Sequence, residues 1–153
     1  MAVTVRGFRP GDEAAFRDIN LEWIERFFAV EAKDRAVLDD PHTYILGPGG
    51  AILLAEEEGE SIGVVSLVVM REGSVELAKM GVRPGAQGKG VGRMLVSAAL
   101  AKARKMGMRR VYIETNSALG PALKLYRDAG FVPLPQMIAS PYARADVQLE
   151  LFL

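Results

Sequence analysis

Gly85, Gly88, Gly90 and Gly92 fall within eight residues of the stretch V82-R-P-G-A-Q-G-K-G-V-G-R-M-L95, with basic residues at Arg83, Lys89 and Arg93. The preceding E76-L-A-K-M-G-V82 reads as a strand. Residues 91–107 read as a helix, with Val91, Leu95, Ala99, Ala103 and Met106 on one stripe. Arg104 and Lys105 sit in its last turn, where cations complement the helix dipole, and Gly107 supplies the stop. The first amides of a helix have no partner inside it. With the dipole they make an anion site, and glycine lets the backbone approach that anion at positive φ. Residues 87–93 are therefore a candidate phosphate cradle. A turn that binds nothing also uses glycines, so the stretch alone leaves both readings open.

Two familiar cradles fail here. The P-loop pattern G-x-x-x-x-G-K-[ST] finds Lys89 after Gly88. It then meets Gly90 where Ser or Thr is needed, and Arg83 where its opening glycine should stand. The dinucleotide pattern G-x-G-x-x-G, begun at Gly88 and Gly90, requires a glycine at Arg93. It should also open the first strand–helix unit, whereas this turn lies past mid-chain.

The rest of the chain surrounds this unit with strands and helices. Residues 3–8 read as a first strand, and Asp12 is an N-cap candidate for a helix carrying Phe16, Ile19, Trp23 and Phe27 on one face. Residues 31–38 read as a short helix that ends before Pro41. Residues 51–55 and 62–70 are apolar, β-branched strands joined by the polar tip E56-E-E-G-E-S61, and residues 75–82 follow as the next strand. Residues 110–115 read as a strand and 121–129 as a helix with Pro121 at its start and Gly130 past its end. Residues 131–134 make a short strand, and residues 142–153 a last one with Val147, Leu149, Leu151 and Leu153 on one face. Tight turns force three strands into antiparallel pairing, and the strand–helix–strand crossover forces one parallel pair. The expected fold is a mixed α/β sheet with helices on both faces, in one domain over residues 1–153.

Lys plus Arg equals Asp plus Glu at 19 each, so the chain lacks the basic excess of a nucleic-acid binder. It has no cysteine, hence no disulfide, thiolate metal site or cysteine nucleophile. That fits a reducing cytoplasm. M-A-V-T-V-R has no apolar leader character, and no run is long enough to suggest a membrane span.

Q87-G-K-G-V-G92 is similar to the Q/R-x-x-G-x-G/A pyrophosphate loop of the GNAT N-acetyltransferase superfamily. Residues 76–95 resemble that family's strand–loop–helix element, and N116-S-A-L-G-P-A-L-K-L-Y-R-D-A-G-F131 resembles its second signature. The resemblance is specific over residues 61–131. It implies a mostly antiparallel sheet with one splayed parallel pair, acetyl-CoA as cofactor, and acetyl transfer to an amine. It assigns the coenzyme A pyrophosphate to the amides of Gln87, Gly88, Lys89, Gly90, Val91, Gly92 and Arg93. Lys89 and Arg93 add charge there or remain solvated. Met80, Gly81 and Val82 would pair with the pantetheine amides in the splay, with a bulge near Met80 and Gly81. Asn116 would contact the pantetheine arm or cap the next helix. Tyr126 would protonate the departing thiolate or pack as a core aromatic.

An amine must lose a proton to attack, so a base is needed. Glu76 is the first candidate, or else a solvent-facing strand charge; Glu114, on the neighbouring strand, is the second candidate. His42, the sole histidine, reads as a surface loop residue, and no metal site is expected. Trp23 and Phe27 read as core, whereas Phe28 lies off their stripe and faces an acceptor groove. The acceptor is a small-molecule or peptide amine of open identity. A homodimer is expected if the last strand lies at a sheet edge. Two other classes stand beside the enzyme: a non-catalytic acyl-CoA sensor or interaction domain on the same fold, and a nucleotide-binding module.

Overall fold

A computed structural model describes residues 2–153; Met1, the first residue of M-A-V-T-V-R, lies outside them. The described strands are β1 (Val3–Gly7), β2 (Ala51–Glu57), β3 (Glu60–Val69), β4 (Ser74–Val82), β5 (Arg110–Thr115), β6 (Val132–Pro133) and β7 (Val147–Phe152). The α-helices are α1 (Glu13–Phe27), α2 (Ala32–Asp39), α3 (Val91–Lys105) and α4 (Gly120–Ala129). The strands form one sheet in the order β1-β2-β3-β4-β5-β7-β6, antiparallel throughout except for β4 against β5. No helix among the described residues is long and apolar enough to cross a membrane.

Strand alternation gives the sheet two apolar faces. On one face Leu53, Val65, Leu67, Leu77, Val111 and Ile113 pack with Leu95, Ala99 and Ala103 of α3 and Leu123 of α4. On the other, Ile52, Leu54 and Val64 pack with Phe16, Ile19 and Ile24 of α1 and Val37 and Leu38 of α2. Each such side chain, fully buried, contributes about 1.5–3 kcal/mol.

The polar tip of the β2–β3 hairpin is a two-residue turn at Glu58 and Gly59, both at positive φ. Glu56 is not free in solvent, because it accepts from Arg6 at 2.8 Å. In α1 the buried stripe is Phe16, Ile19, Asn20 and Ile24. Trp23, expected as core, is half-buried against the margin of that core, and Phe27, expected as core too, is not. Phe27 is 51% exposed and lines a groove described below. The buried amide of Asn20, donating to the Phe16 carbonyl and accepting from Trp23 Nε1, occupies the inward position instead.

The last strand is shorter than its sequence pattern, starting at Val147 rather than 142. Residues 142–146 leave the strand because Arg144 binds a carboxylate on α2 and Tyr142 Oη accepts from Lys79 of β4. Nor is β7 an edge: it lies between β5 and β6, which removes the premise for the expected dimer.

Candidate active site

Two features of β4 open the sheet. Its ladder with β5 holds only at Ser74–Arg110, Val75–Val111 and Glu76–Tyr112. Beyond Glu76 the two strands diverge, so the backbone of β4 facing β5 has no strand partner. On its other side a bulge interrupts pairing with β3 between Val64–Gly81 and Ser66–Ala78. Lys79 and Met80 there oppose Val65 alone, and Lys79 has φ 49°. A left-handed non-glycine residue costs about 1–3 kcal/mol and persists only where its surroundings hold it. Ser66 Oγ helps, donating to the Ala78 carbonyl at 2.6 Å. The bulge lies at Lys79 and Met80, and Gly81 just beyond it sits beneath Trp23. A Cβ on Gly81 would stand 2.6 Å from Trp23 Cδ1.

The splay opens into a groove of about 610 Å³ that runs past Met80, Gly81 and Val82 to the glycine turn. That is the size range of small-molecule and cofactor sites. At the turn, Gly88 and Gly90 have φ of 83° and 78°, and a Cβ on either would meet nothing within 4 Å. The first backbone bond into α3 is donated by Met94 to the Gly90 carbonyl. Among the described residues the amides of residues 88–93 have no backbone acceptor, and Gly88, Gly90, Val91, Gly92 and Arg93 line the groove. The Gln87 side chain is turned back onto the Val82 carbonyl at 3.2 Å, tying the loop to the strand end. Arg93 is drawn outward to Asp128, and Lys89 lies 3.6 Å from Glu57. The residues present thus fit a diphosphate through main-chain donors, with Lys89 and Arg93 at the margin.

Tyr126 lies in the wall of this groove. Its ring meets Phe131 edge-on, and no described group bonds its hydroxyl. Burial pushes its pKa well above the usual phenol value, so it stays protonated.

A second cavity of about 150 Å³ lies where the sheet faces α1 and α2. Trp23, Ala78, Lys79, Glu114, Thr115 and Leu119 line both spaces, so the two meet at the bulge. Phe28 lines this cavity, as its place off the helix stripe suggested. The two candidate bases differ here. Glu114 accepts from Tyr112 Oη and Ser140 Oγ, each at 2.7 Å, so both its oxygens are engaged. Glu76 has no bonding partner among the described residues. Burial, and then the Glu114 charge, push its pKa up to about 7. Asn116 also lines this cavity rather than the larger groove. It donates to the Arg144 carbonyl at 2.7 Å and accepts from the Ala118 amide at 2.8 Å. His42 is exposed, 3.0 Å from Glu13 and edge-on to Phe8, away from both spaces.

The sequence reading missed an ion cluster beneath the second cavity. Asp34 of α2 is fully buried and accepts from Lys79 Nζ at 2.6 Å and from two nitrogens of Arg144 at 2.7 and 2.8 Å. Burial alone would raise the Asp34 pKa. The hydrogen bonds from Arg144 and Lys79 outweigh it and hold the carboxyl far below the usual range. Arg144 also reaches Glu31, and Lys79 Nζ donates to Tyr142 Oη at 3.0 Å. Alternation did not signal it: by phase Lys79 belongs with Val75 and Leu77, which face α3, and the bulge turns it to the α2 side.

The E. coli K12 uncharacterized N-acetyltransferase YjgM is 36% identical over 97 residues, covering 61% of this chain and 58% of that protein. A mycothiol acetyltransferase of Thermomonospora curvata is 34% identical over 134 residues, covering 84% of this chain and 44% of that protein. The chain therefore spans only about half the length of these curated relatives. The solved structure of yncA from Salmonella typhimurium with its cofactor acetyl-CoA shares the fold. Its TM-score is 0.76 and its identity 24%, over 99% of this chain and 94% of that one. The Acetyltransferase (GNAT) family model matches residues 16–131, from α1 through the glycine turn to the end of the second signature, and the chain belongs to that family.

Proposed function

We propose that the protein transfers the acetyl group of acetyl-CoA to a primary amine, in one domain that carries both the coenzyme and the acceptor space. The observation that carries this is the meeting of the two cavities at the opened end of β4. One is lined by free helix-start amides, the other by an unpaired carboxylate. Acetyl-CoA, when bound, supplies an activated thioester.

The amides of residues 88–93 would hold the diphosphate, and the side of Met80, Gly81 and Val82 that faces β5, left without a strand partner, would meet the pantetheine amides. Trp23, packed on Gly81, walls the junction on the acceptor side. Glu76 takes the proton the amine loses as its nitrogen bonds the acyl carbon, directly or through one water. A base with a pKa near 7 is matched to that task at neutral pH. Glu114 supports it by raising its basicity. Tyr126, protonated and facing the groove, gives its proton to the sulfur as the carbon–sulfur bond breaks. Asn116 positions the loop that carries Arg144.

Thiol release from acetyl-CoA, followed across a panel of primary amines, tests the reading. Amine-dependent release supports it. Acetyl-CoA binding with no release on any amine favours the non-catalytic sensor instead.

A further inference from the structure

Resting on the transferase reading, we infer that the acceptor is a compact zwitterion: a primary amine on a short apolar body that also carries one carboxylate, the chemistry of an α-amino acid.

Size comes first. A cavity of about 150 Å³ is as large as an engineered apolar cavity that takes up benzene. Such a space holds a single short side chain. Its walls are Trp23, Phe28, Val37, Ile45, Val68 and Leu119, which suit an apolar body.

Charge decides the rest. The ionic groups lining the cavity are Lys33, Glu76, Lys79, Glu114 and Arg144. Lys79 and Arg144 are held by Asp34, and Arg144 also by Glu31. Glu114 has both oxygens occupied by hydroxyl donors. Among the described residues, two groups remain with no carboxylate, ammonium or hydrogen-bond partner. They are Glu76 beside the splay and Lys33 at the exposed rim, whose ammonium lies 4.7 Å from the centre of the Tyr44 ring. One unpaired anion inside and one unpaired cation at the rim match a molecule that carries both an amine and a carboxylate. A diamine would set its second ammonium against Lys33. A simple amine would gain nothing from Lys33, which water already solvates. The aromatic face beneath Lys33 fixes the ammonium without neutralising it.

The test uses the whole chain with acetyl-CoA and follows coenzyme A release. Leucine, methionine and phenylalanine are each compared with their own carboxamide and decarboxylated amine, with putrescine as the dication. For at least one of the three, kcat/KM of the free amino acid should exceed that of its amide and amine at least tenfold. Putrescine should fall below both. In Lys33→Ala that preference should shrink to about one, mainly through KM, and Lys33→Arg should keep it. Release from the amines or putrescine with no gain from the carboxylate overturns the acceptor class alone. So does a carboxylate preference that Lys33→Ala leaves intact. No release from any compound overturns the transferase reading as well.

Discussion

Lys79 Nζ lies 2.6 Å from Asp34 Oδ1, joining the β4 bulge to α2 inside the protein. Arg144 binds the same carboxylate from a loop 110 residues away in sequence. This cluster fixes the three segments that enclose the smaller cavity. It also holds Lys79 in its left-handed backbone, and so holds the opening on which the site depends.

Replacing Asp34 should be costly, because two buried cations lose their shared anion. Asp34→Asn is expected to destabilise the fold by about 3–5 kcal/mol at pH 7. The folded pKa of Asp34 lies below its unfolded value. Its contribution is therefore full above an unfolded pKa of about 3.9 and disappears as pH falls toward the folded value. Urea denaturation of both proteins should show the gap narrowing below pH 4. Equal stability at pH 7 contradicts the role given to the cluster.

Glu76 sets the pH dependence. As the base it must be ionised, so kcat/KM should rise with pH and level off above about 7. Glu76→Gln should lower kcat about 10²–10⁴-fold and remove that limb. The stability effect has the opposite sense. Between the ordinary carboxyl value and about 7 the folded state binds the extra proton, so stability falls as pH rises through that window. Glu76→Gln should flatten this fall. If Glu114→Gln removed the limb and Glu76→Gln did not, the two carboxylates would have to exchange roles.

Tyr126→Phe removes a hydroxyl that no described protein group bonds, so the fold should keep its melting temperature within a few degrees. Turnover should fall about 10–100-fold, at or below the low end of general-acid effects, because a thiol with a pKa near 8.5 leaves fairly well unaided. Affinity for coenzyme A, read by calorimetry, should change little. Unaltered kcat would return Tyr126 to the core packing role.

Gly88 and Gly90 occupy left-handed backbone beside open space. Gly90→Val should cost about 1–2 kcal/mol through strain alone and weaken coenzyme A binding more than tenfold. Lys89→Ala should have a smaller effect, one that disappears in high salt. A larger loss from Lys89→Ala than from Gly90→Val would mean that side-chain charge, not the main chain, holds the diphosphate.

Local patterns made most of the architecture legible. The run from β2 to β4 shows as apolar stretches between turn residues, α3 as a stripe closed by Gly107, and α4 as a helix between Pro121 and Gly130. Each signal lies within a few residues of its effect. The glycine turn was readable for the same reason, since a positive φ must be written into the residue that adopts it. What failed depended on distant partners. Trp23 and Phe27 share a stripe with Phe16, yet they face the junction because Gly81 leaves room for Trp23 and the splay leaves Phe27 uncovered. Residues 142–146 alternate like a strand, but Asp34 draws Arg144, and Lys79 draws Tyr142, out of it. Asn116 fits its motif, while its amide is engaged by Ala118 and Arg144, which the spacing does not reveal. The different standing of Glu76 and Glu114 rests on Ser140 and Tyr112, and Ser140 arrives from a segment with no motif.

The most direct test of the main-chain cradle is a calorimetric titration of the protein with coenzyme A beside one with pantetheine, which lacks the diphosphate. A single site for coenzyme A with a Kd of about 1–100 μM, and binding of pantetheine at least 100-fold weaker, is the expected result; that ratio corresponds to about 2.7 kcal/mol lost with the diphosphate and the nucleoside it carries. No heat with coenzyme A, or equal affinity for the two compounds, would contradict it.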